Sequence, residues 1–239
     1  AYIFTDEATR KNYGHDETED LSFPPQIVVK PANTLEVSEI LKISNRYKIP
    51  TVPIGGRTGL SGGALAIYGG IGISMERFNK ILEIDERNLQ ITTEPGVITQ
   101  VLRDAVAEKD LLYPVDPSSM GSCWIGGNIA ENSGGARALK YGVTKDYVLN
   151  LEVVLPTGDI IWTGANTLKN STGYNLTQLM VGSEGTLGIV TKAVLKLIPQ
   201  NKHNILLLVP FVKAEEACEA VSAIFRAGIT PSALEFMER

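Results

Sequence analysis

Residues 53–64 read Pro53-Ile54-Gly55-Gly56-Arg57-Thr58-Gly59-Leu60-Ser61-Gly62-Gly63-Ala64, and they leave the short apolar run Thr51-Val52-Pro53-Ile54. Five glycines and two hydroxyl side chains fall within this one stretch. Glycine costs conformational entropy in ordered backbone, so a cluster of glycines needs a reason. The usual reason is main chain that approaches a ligand closely, with N–H groups turned toward an anion. Thr58 and Ser61 add hydroxyl donors and Arg57 adds a positive charge. A phosphate or pyrophosphate is the expected guest; a glycine-rich surface loop without a ligand is the competing reading.

Two better-known phosphate loops fail on spacing. No lysine follows a glycine as the nucleotide-triphosphatase pattern G-x-x-x-x-G-K-[ST] requires. The dinucleotide pattern G-x-G-x-x-G begins at Gly70-Ile71-Gly72, but Met75 stands where its third glycine belongs. Two further segments share the chemistry of the first. Residues 116–135 read Asp-Pro-Ser-Ser-Met-Gly-Ser-Cys-Trp-Ile-Gly-Gly-Asn-Ile-Ala-Glu-Asn-Ser-Gly-Gly, and residues 182–190 read Gly-Ser-Glu-Gly-Thr-Leu-Gly-Ile-Val. A phosphate alone would need one such loop. Three, far apart in the chain, imply a long polar cofactor cradled along its length.

These three segments, in this order, resemble the FAD-binding domain of the FAD-linked oxidase family, in the vanillyl-alcohol-oxidase superfamily. Within it the resemblance is to D-2-hydroxyglutarate dehydrogenase, D-lactate dehydrogenase and the FAD-binding subunit of glycolate oxidase. It runs from about Pro24 to about Pro199, through Glu94-Pro95-Gly96-Val97, Tyr141-Gly142 and Ser171-Thr172-Gly173-Tyr174-Asn175-Leu176. It implies an α+β fold of the vanillyl-alcohol-oxidase type, with FAD lying between two subdomains.

Composition agrees with an ordinary folded protein: 44 % hydrophobic and 21 % charged residues, with a net charge of −5. That charge argues against a nucleic-acid partner. An apolar run such as Ile205–Val209, stopped by Pro210, is far short of the ~20 residues of a spanning helix. No secretory pattern opens the sequence, and Ala1 in place of methionine reads as a trimmed or engineered start. A cytoplasmic location, or a peripheral one at the inner face of the membrane, is expected. Cys123 and Cys218 suggest no disulfide framework; Cys123 falls in a glycine loop, and Cys218 reads as a buried position of a late helix. His15 and His203 are too far apart to suggest a metal site.

The hydrophobic pattern places a strand at 27–30, then a helix with Asn33 as N-cap and Glu36 as its capping partner. Val37, Ile40, Leu41, Ser44 and Tyr47 share one face of that helix. Strands follow at 51–54 and 71–75, then a hairpin with arms 81–85 and 89–93. A helix after Glu94-Pro95-Gly96 presents Val101, Leu102, Ala105 and Val106. A second hairpin turns at Pro156-Thr157-Gly158, and a long strand spans 187–198. Alternation first and hairpins later is an α+β order. The expected division is an FAD-binding domain over 1–200, with subdomains of about 1–95 and 96–200. Residues 203–239, read as strand 205–211, helix 213–227 and strand 233–237, resemble the start of a truncated α+β cap domain for substrate. They are expected to lean on the FAD-binding domain or on a second copy of the chain, which leaves a homo-oligomer open.

For the first loop, the expected cofactor contacts are Pro53 and the amides of Gly55, Gly56, Arg57, Thr58 and Gly59 on the pyrophosphate, extended by Ser61 and Gly62. Arg57 either touches phosphate or is solvated. In the second, Pro117, Ser118, Gly121, Ser122, Gly126, Gly127 and Asn128 are expected along the ribityl chain and flavin. Asn132 either pairs with the flavin through its amide or satisfies its own turn; Arg137 reads as structural. In the third, Gly182, Ser183, Glu184, Gly185, Gly188 and Ile189 fit the adenosine end, with Glu184 accepting from a ribose hydroxyl or capping backbone. No histidine lies in these loops, so FAD is expected to be noncovalent. The resemblance implies a 2-hydroxy-acid substrate that gives hydride to flavin N5. It also implies an electron acceptor of the quinone, cytochrome or electron-transfer-flavoprotein kind. An alkyl-glycerone-phosphate-synthase-like enzyme and a non-catalytic flavin-binding subunit are the alternatives. The base and the cations for the substrate carboxylate are expected in the cap, so no catalytic residue is named.

Overall fold

The structure, a computed structural model, describes residues 2–238; Ala1 and Arg239, which end the expected divisions, lie outside the described residues. Its first lobe runs β1 (Tyr2–Phe4), α1 (Glu7–Asn12), β2 (Ile27–Lys30), α2 (Thr34–Tyr47), β3 (Thr51–Ile54) and β4 (Ile71–Ser74). The four strands form one sheet in the order β1-β2-β4-β3. β2, β4 and β3 are parallel, and β1 is antiparallel at the edge. α2 begins where its cap residues stand: Asn33 Oδ1 accepts from Glu36 N at 3.0 Å, and Glu36 Oε2 accepts from Ala32 N at 2.8 Å. It ends at Lys48 in the left-handed region (φ 54°), and Pro50 prevents continuation.

The second lobe begins with β5 (Ile81–Asp85) and β6 (Gln90–Thr93), then α3 (Thr99–Ala107), β7 (Leu111–Leu112), α4 (Ile125–Glu131) and α5 (Ala138–Tyr141). β8 (Val148–Val154), β9 (Ile160–Trp162), α6 (Leu176–Met180), β10 (Ile189–Lys196) and β11 (Ile198–Pro199) complete it. The main sheet is antiparallel, ordered β5-β6-β10-β8-β9. The 81–93 hairpin therefore pairs with β10, so the first sheet ends at Ser74 although the sequence division falls near residue 95. Leu102, Val106, Ile125, Ile129, Leu151 and Leu195 form the centre of the core under this sheet.

α2 joins the lobes. Val37 and Leu41 pack with Ile73, Met75 and Phe78 of the first lobe and with Val154 and Ile189 of the second. Thr34 Oγ1 donates to Glu152 Oε1 at 2.7 Å, and Ser38 Oγ donates to the Gly158 carbonyl at 2.5 Å. Ser38 thus replaces Tyr47 on the buried face. Tyr47, in the last turn of α2, is exposed, and Val101 of α3 is exposed as well.

The C-terminal segment differs from expectation. α7 (Ala214–Arg226) forms where predicted, but 205–211 and 233–237 are not strands. A strand needs a partner for its N–H and C=O groups, and neither segment pairs with any described strand. Leu206 is 95 % exposed, and α7 buries no residue, so Cys218 is exposed rather than buried. Among the described residues, no helix is long and apolar enough to cross a membrane.

Candidate functional site

The carboxyl ends of the parallel strands β3 and β4 face the second lobe, the usual place for a ligand in such sheets. There a cavity of about 480 Å³ opens between the lobes, with Ile54 and Met75 in its wall. All three glycine loops reach it.

From the first loop, Pro53, Gly55, Gly56, Arg57, Thr58, Gly59 and Ser61 line the cavity. Among the described residues, no N–H of residues 55–61 donates to a protein acceptor. Backbone donors withdrawn from bulk water are nearly always paired, and residues 55–59 are half-buried. A row of unpaired amides on a cavity wall fits an anion. Gly62 is outside the cavity: it has φ +73° and donates its N–H to Thr18 Oγ1 at 2.9 Å. Arg57 is held by contacts outside the loop. It sits in the left-handed region (φ 57°), its guanidinium donates to the Asn12 carbonyl, and its Cζ stands 5.1 Å from the Tyr13 ring centre. The side chain ties the loop to α1.

The glycines divide by what a side chain would meet. A Cβ at Gly126 would lie 2.7 Å from Pro95 Cβ, and one at Gly188 would lie 2.6 Å from Val153 Cγ1. One at Gly56 would lie 2.9 Å from the Ser122 carbonyl. These glycines are needed by the fold. A Cβ at Gly59 or Gly127 would meet no protein atom within 4 Å, and one at Gly55 only Gly127 N at 3.9 Å. Gly127 is inside α4, where glycine costs roughly 1 kcal/mol against alanine. Among the described residues, no steric contact within 3.4 Å opposes a Cβ at these three glycines, and all three line the cavity. Their bare backbone leaves room for an occupant.

In the second loop, Gly126, Gly127 and Asn128 line the cavity as expected, whereas Pro117, Ser118, Gly121 and Ser122 do not. Ser119, Cys123 and Trp124 take their place. The reason is the turn that feeds α4: Ser122 N and Cys123 N both donate to the Ser119 carbonyl at 2.8 Å, so the residues at 119 and 123 share a side. Asn128 is buried, and its Nδ2 donates to Thr99 Oγ1 at 2.5 Å. Asn132 ends α4 in the left-handed region (φ 51°), and its Oδ1 accepts from Lys145 N at 2.9 Å. Asn132 is not among the residues that line the cavity. Arg137 pairs with Asp116 at 3.3 Å, in keeping with its structural reading.

In the third loop, Ser183, Glu184, Gly185, Gly188 and Ile189 line the cavity. Gly182 does not: its N–H donates to the Ile129 carbonyl at 2.9 Å, and Glu184 N donates to the Ala130 carbonyl at 3.0 Å. This loop is stitched to the end of α4. The sequence reading missed Asp16, Glu131, Ser133, Pro95 and Met180, which also line the cavity. Their approach is tertiary and has no local pattern. Burial, then the nearby Glu184 and Asp16 carboxylates, raise the Glu131 carboxyl above its ordinary range. Among the described residues, no cluster of His, Cys, Asp and Glu could hold a metal ion.

Comparison with known proteins agrees with this geometry. Residues 25–164 match the family described as the FAD binding domain. The chain is 50 % identical to glycolate oxidase subunit GlcD of Bacillus subtilis, over 97 % of this chain and 49 % of that protein. It is 46 % identical to a D-lactate dehydrogenase of Anaerostipes hadrus, over 90 % and 45 %. It is 40 % identical to a D-2-hydroxyglutarate dehydrogenase of Xanthomonas citri pv. viticola, over 97 % and 49 %. It thus spans about half the length of the curated relatives it matches. Among solved structures, an alkyldihydroxyacetonephosphate synthase superposes with a TM-score of 0.80, over 97 % of this chain and 44 % of that one, at 24 % identity, a likeness of fold. The unpaired amides of 55–61 and the open glycines Gly59 and Gly127 meet at one cavity and fall inside the matched segment, and the chain belongs to the FAD-binding domain family.

Proposed function

We propose that this chain is the FAD-binding half of a flavin-dependent D-2-hydroxy-acid dehydrogenase of the glycolate, D-lactate or D-2-hydroxyglutarate type. The observation that carries the reading is the row of unpaired amides at 55–61, lining an interlobe cavity in a chain similar to enzymes with those names. When bound, FAD supplies the acceptor for the hydride that leaves the α-carbon of the hydroxy acid, which becomes the 2-oxo acid. The amides of Gly55, Gly56, Arg57, Thr58, Gly59 and Ser61 would hold the pyrophosphate. Gly127, beside Gly55, would let the cofactor approach the start of α4. Ile54, Met75, Met180 and Ile189 would give apolar contact to ring systems and exclude water. The third loop would close the far wall.

Attachment is noncovalent in this reading, since no histidine lines the cavity. The hydroxy-acid substrate and the acceptor of electrons (a quinone, a cytochrome or an electron-transfer flavoprotein) meet the whole protein. The low-identity likeness to the synthase speaks for the fold and lends its reaction no support. The test has two stages. The folded chain is incubated with excess FAD, desalted and scanned for flavin absorbance, then denatured; yellow colour that leaves with denaturation is expected. The full-length protein is assayed with glycolate, D-lactate and D-2-hydroxyglutarate against a dye acceptor. Activity on none of the three would reject the substrate class.

A further inference from the structure

Asp16 belongs to the stretch between α1 and β2 that precedes the matched family segment 25–164. It nonetheless lines the cavity. The residue is 8 % exposed; Oδ1 accepts from Thr18 N at 2.9 Å, and Oδ2 has no hydrogen-bond partner. A buried carboxylate oxygen left unmet is costly unless something supplies a donor. Two more carboxylates face the same space from other segments. Glu131 closes α4, and Glu184 stands in the left-handed region of the third loop. They converge over Gly63, where a Cβ would lie 3.2 Å from Glu131 Oε1 and 3.4 Å from Glu184 Oε2. Ser61 Oγ reaches Glu131 Oε2 at 3.4 Å.

Among the described residues, no ion pair engages Asp16, Glu131 or Glu184. Arg57, the lining residue with a positive charge, has its guanidinium on Asn12 and Tyr13. The cavity therefore has two chemistries side by side: amide donors at 55–61 and carboxylate acceptors at 16, 131 and 184. A phosphate suits the first and is repelled by the second. A neutral hydroxyl donor suits the second, as a carboxylate suits a ribose hydroxyl in other nucleotide sites. FAD has such hydroxyls on both sides of its pyrophosphate, on the ribityl chain and on the adenosine ribose. Resting on the FAD reading above, we infer that Asp16, Glu131 and Glu184 form an acceptor site for vicinal hydroxyls of the bound nucleotide, with Asp16 and Glu184 supplied from either side of the family's matched segment.

Ligand pairs that differ in hydroxyls test this on the folded full chain by titration calorimetry. Riboflavin against lumiflavin reports the ribityl chain; ADP against 2′,3′-dideoxy-ADP reports the ribose. The native chain should favour the hydroxylated member of one pair by at least about tenfold, the scale of charge-assisted hydrogen bonds. Asp16→Asn and Glu131→Gln should weaken FAD and erase that preference, with circular dichroism unchanged. The pair that loses its preference identifies the sugar. Equal affinity within both pairs for the native chain overturns the inference, whatever the folding of the variants. So does tighter FAD binding by the variants, which would mean that the carboxylates only repel the pyrophosphate. A native chain that binds neither FAD nor ADP defeats the cofactor reading instead.

Discussion

The first and third glycine loops look alike in sequence and are used differently. Both are small, hydroxylated and rich in glycine, and both line one cavity. In the first, the amides of 55–61 have no protein partner, and Gly55 and Gly59 have room around them. In the third, Gly182, Ser183, Glu184 and Thr186 donate their N–H groups within the protein. Gly185 and Gly188 are pressed against Pro53 and Val153. One loop keeps its backbone for an occupant; the other uses its backbone to join α4 to β10. A glycine count therefore does not identify a binding loop. The destinations of its hydrogen bonds, and what its missing side chains would have touched, do.

Substitutions can break this contrast. Gly188→Val forces a side chain into Val153 and the Val154 carbonyl, and should destabilise the fold by about 3 kcal/mol in urea denaturation. A Cβ at Gly59 meets no protein atom within 4 Å, so the stability of Gly59→Leu should change by less than about 1 kcal/mol. Its affinity for FAD should nevertheless fall at least ~100-fold, roughly 2.7 kcal/mol. A Gly59→Leu variant that binds FAD normally, or a Gly188→Val variant of native stability, would remove the distinction.

The interface that holds the loops in register gives a smaller effect. Burial alone would raise the Glu152 carboxyl. Hydrogen bonds from Thr34, Lys192 and Thr191 outweigh burial and hold it below its ordinary 4.5. A depressed carboxylate stabilises the fold above its unfolded-state value, and that contribution is lost as pH falls through the folded value. Glu152→Gln should cost about 2 kcal/mol at neutral pH, since it weakens buried charge-assisted bonds. It should also flatten the acid limb of a melting-temperature profile; an unchanged limb would contradict the assignment. Smallest is Asn132→Ala, which loses a left-handed cap and its bond to Lys145 N. It should cost about 1 kcal/mol and leave FAD affinity unchanged.

What the sequence conveyed divides along physical lines. α2 was legible because Asn33 and Glu36 mark its start locally, and the 156–158 turn because Pro156-Thr157-Gly158 demands one. β1 and α1 went unread, although Asp6 caps α1 by accepting from Thr9 N at 2.8 Å, a signal visible in the sequence. Residues 205–211 have strand composition, but composition cannot supply a neighbouring strand. In the second loop the chemistry was legible and the phase was not. The turn before α4 shows the cavity Ser119 and Cys123, and no apolar period announces that. Asp16 and Glu131 could not be read at all, because their meeting depends on how distant segments pack.

The most direct test follows amide hydrogen exchange by mass spectrometry, with and without FAD. Peptides covering 55–61 should gain strong protection on binding, and those covering 182–186 should change little, because the amides of Gly182, Ser183, Glu184 and Thr186 are already paired. FAD that binds while exchange at 55–61 stays as fast as in the free chain would contradict the account.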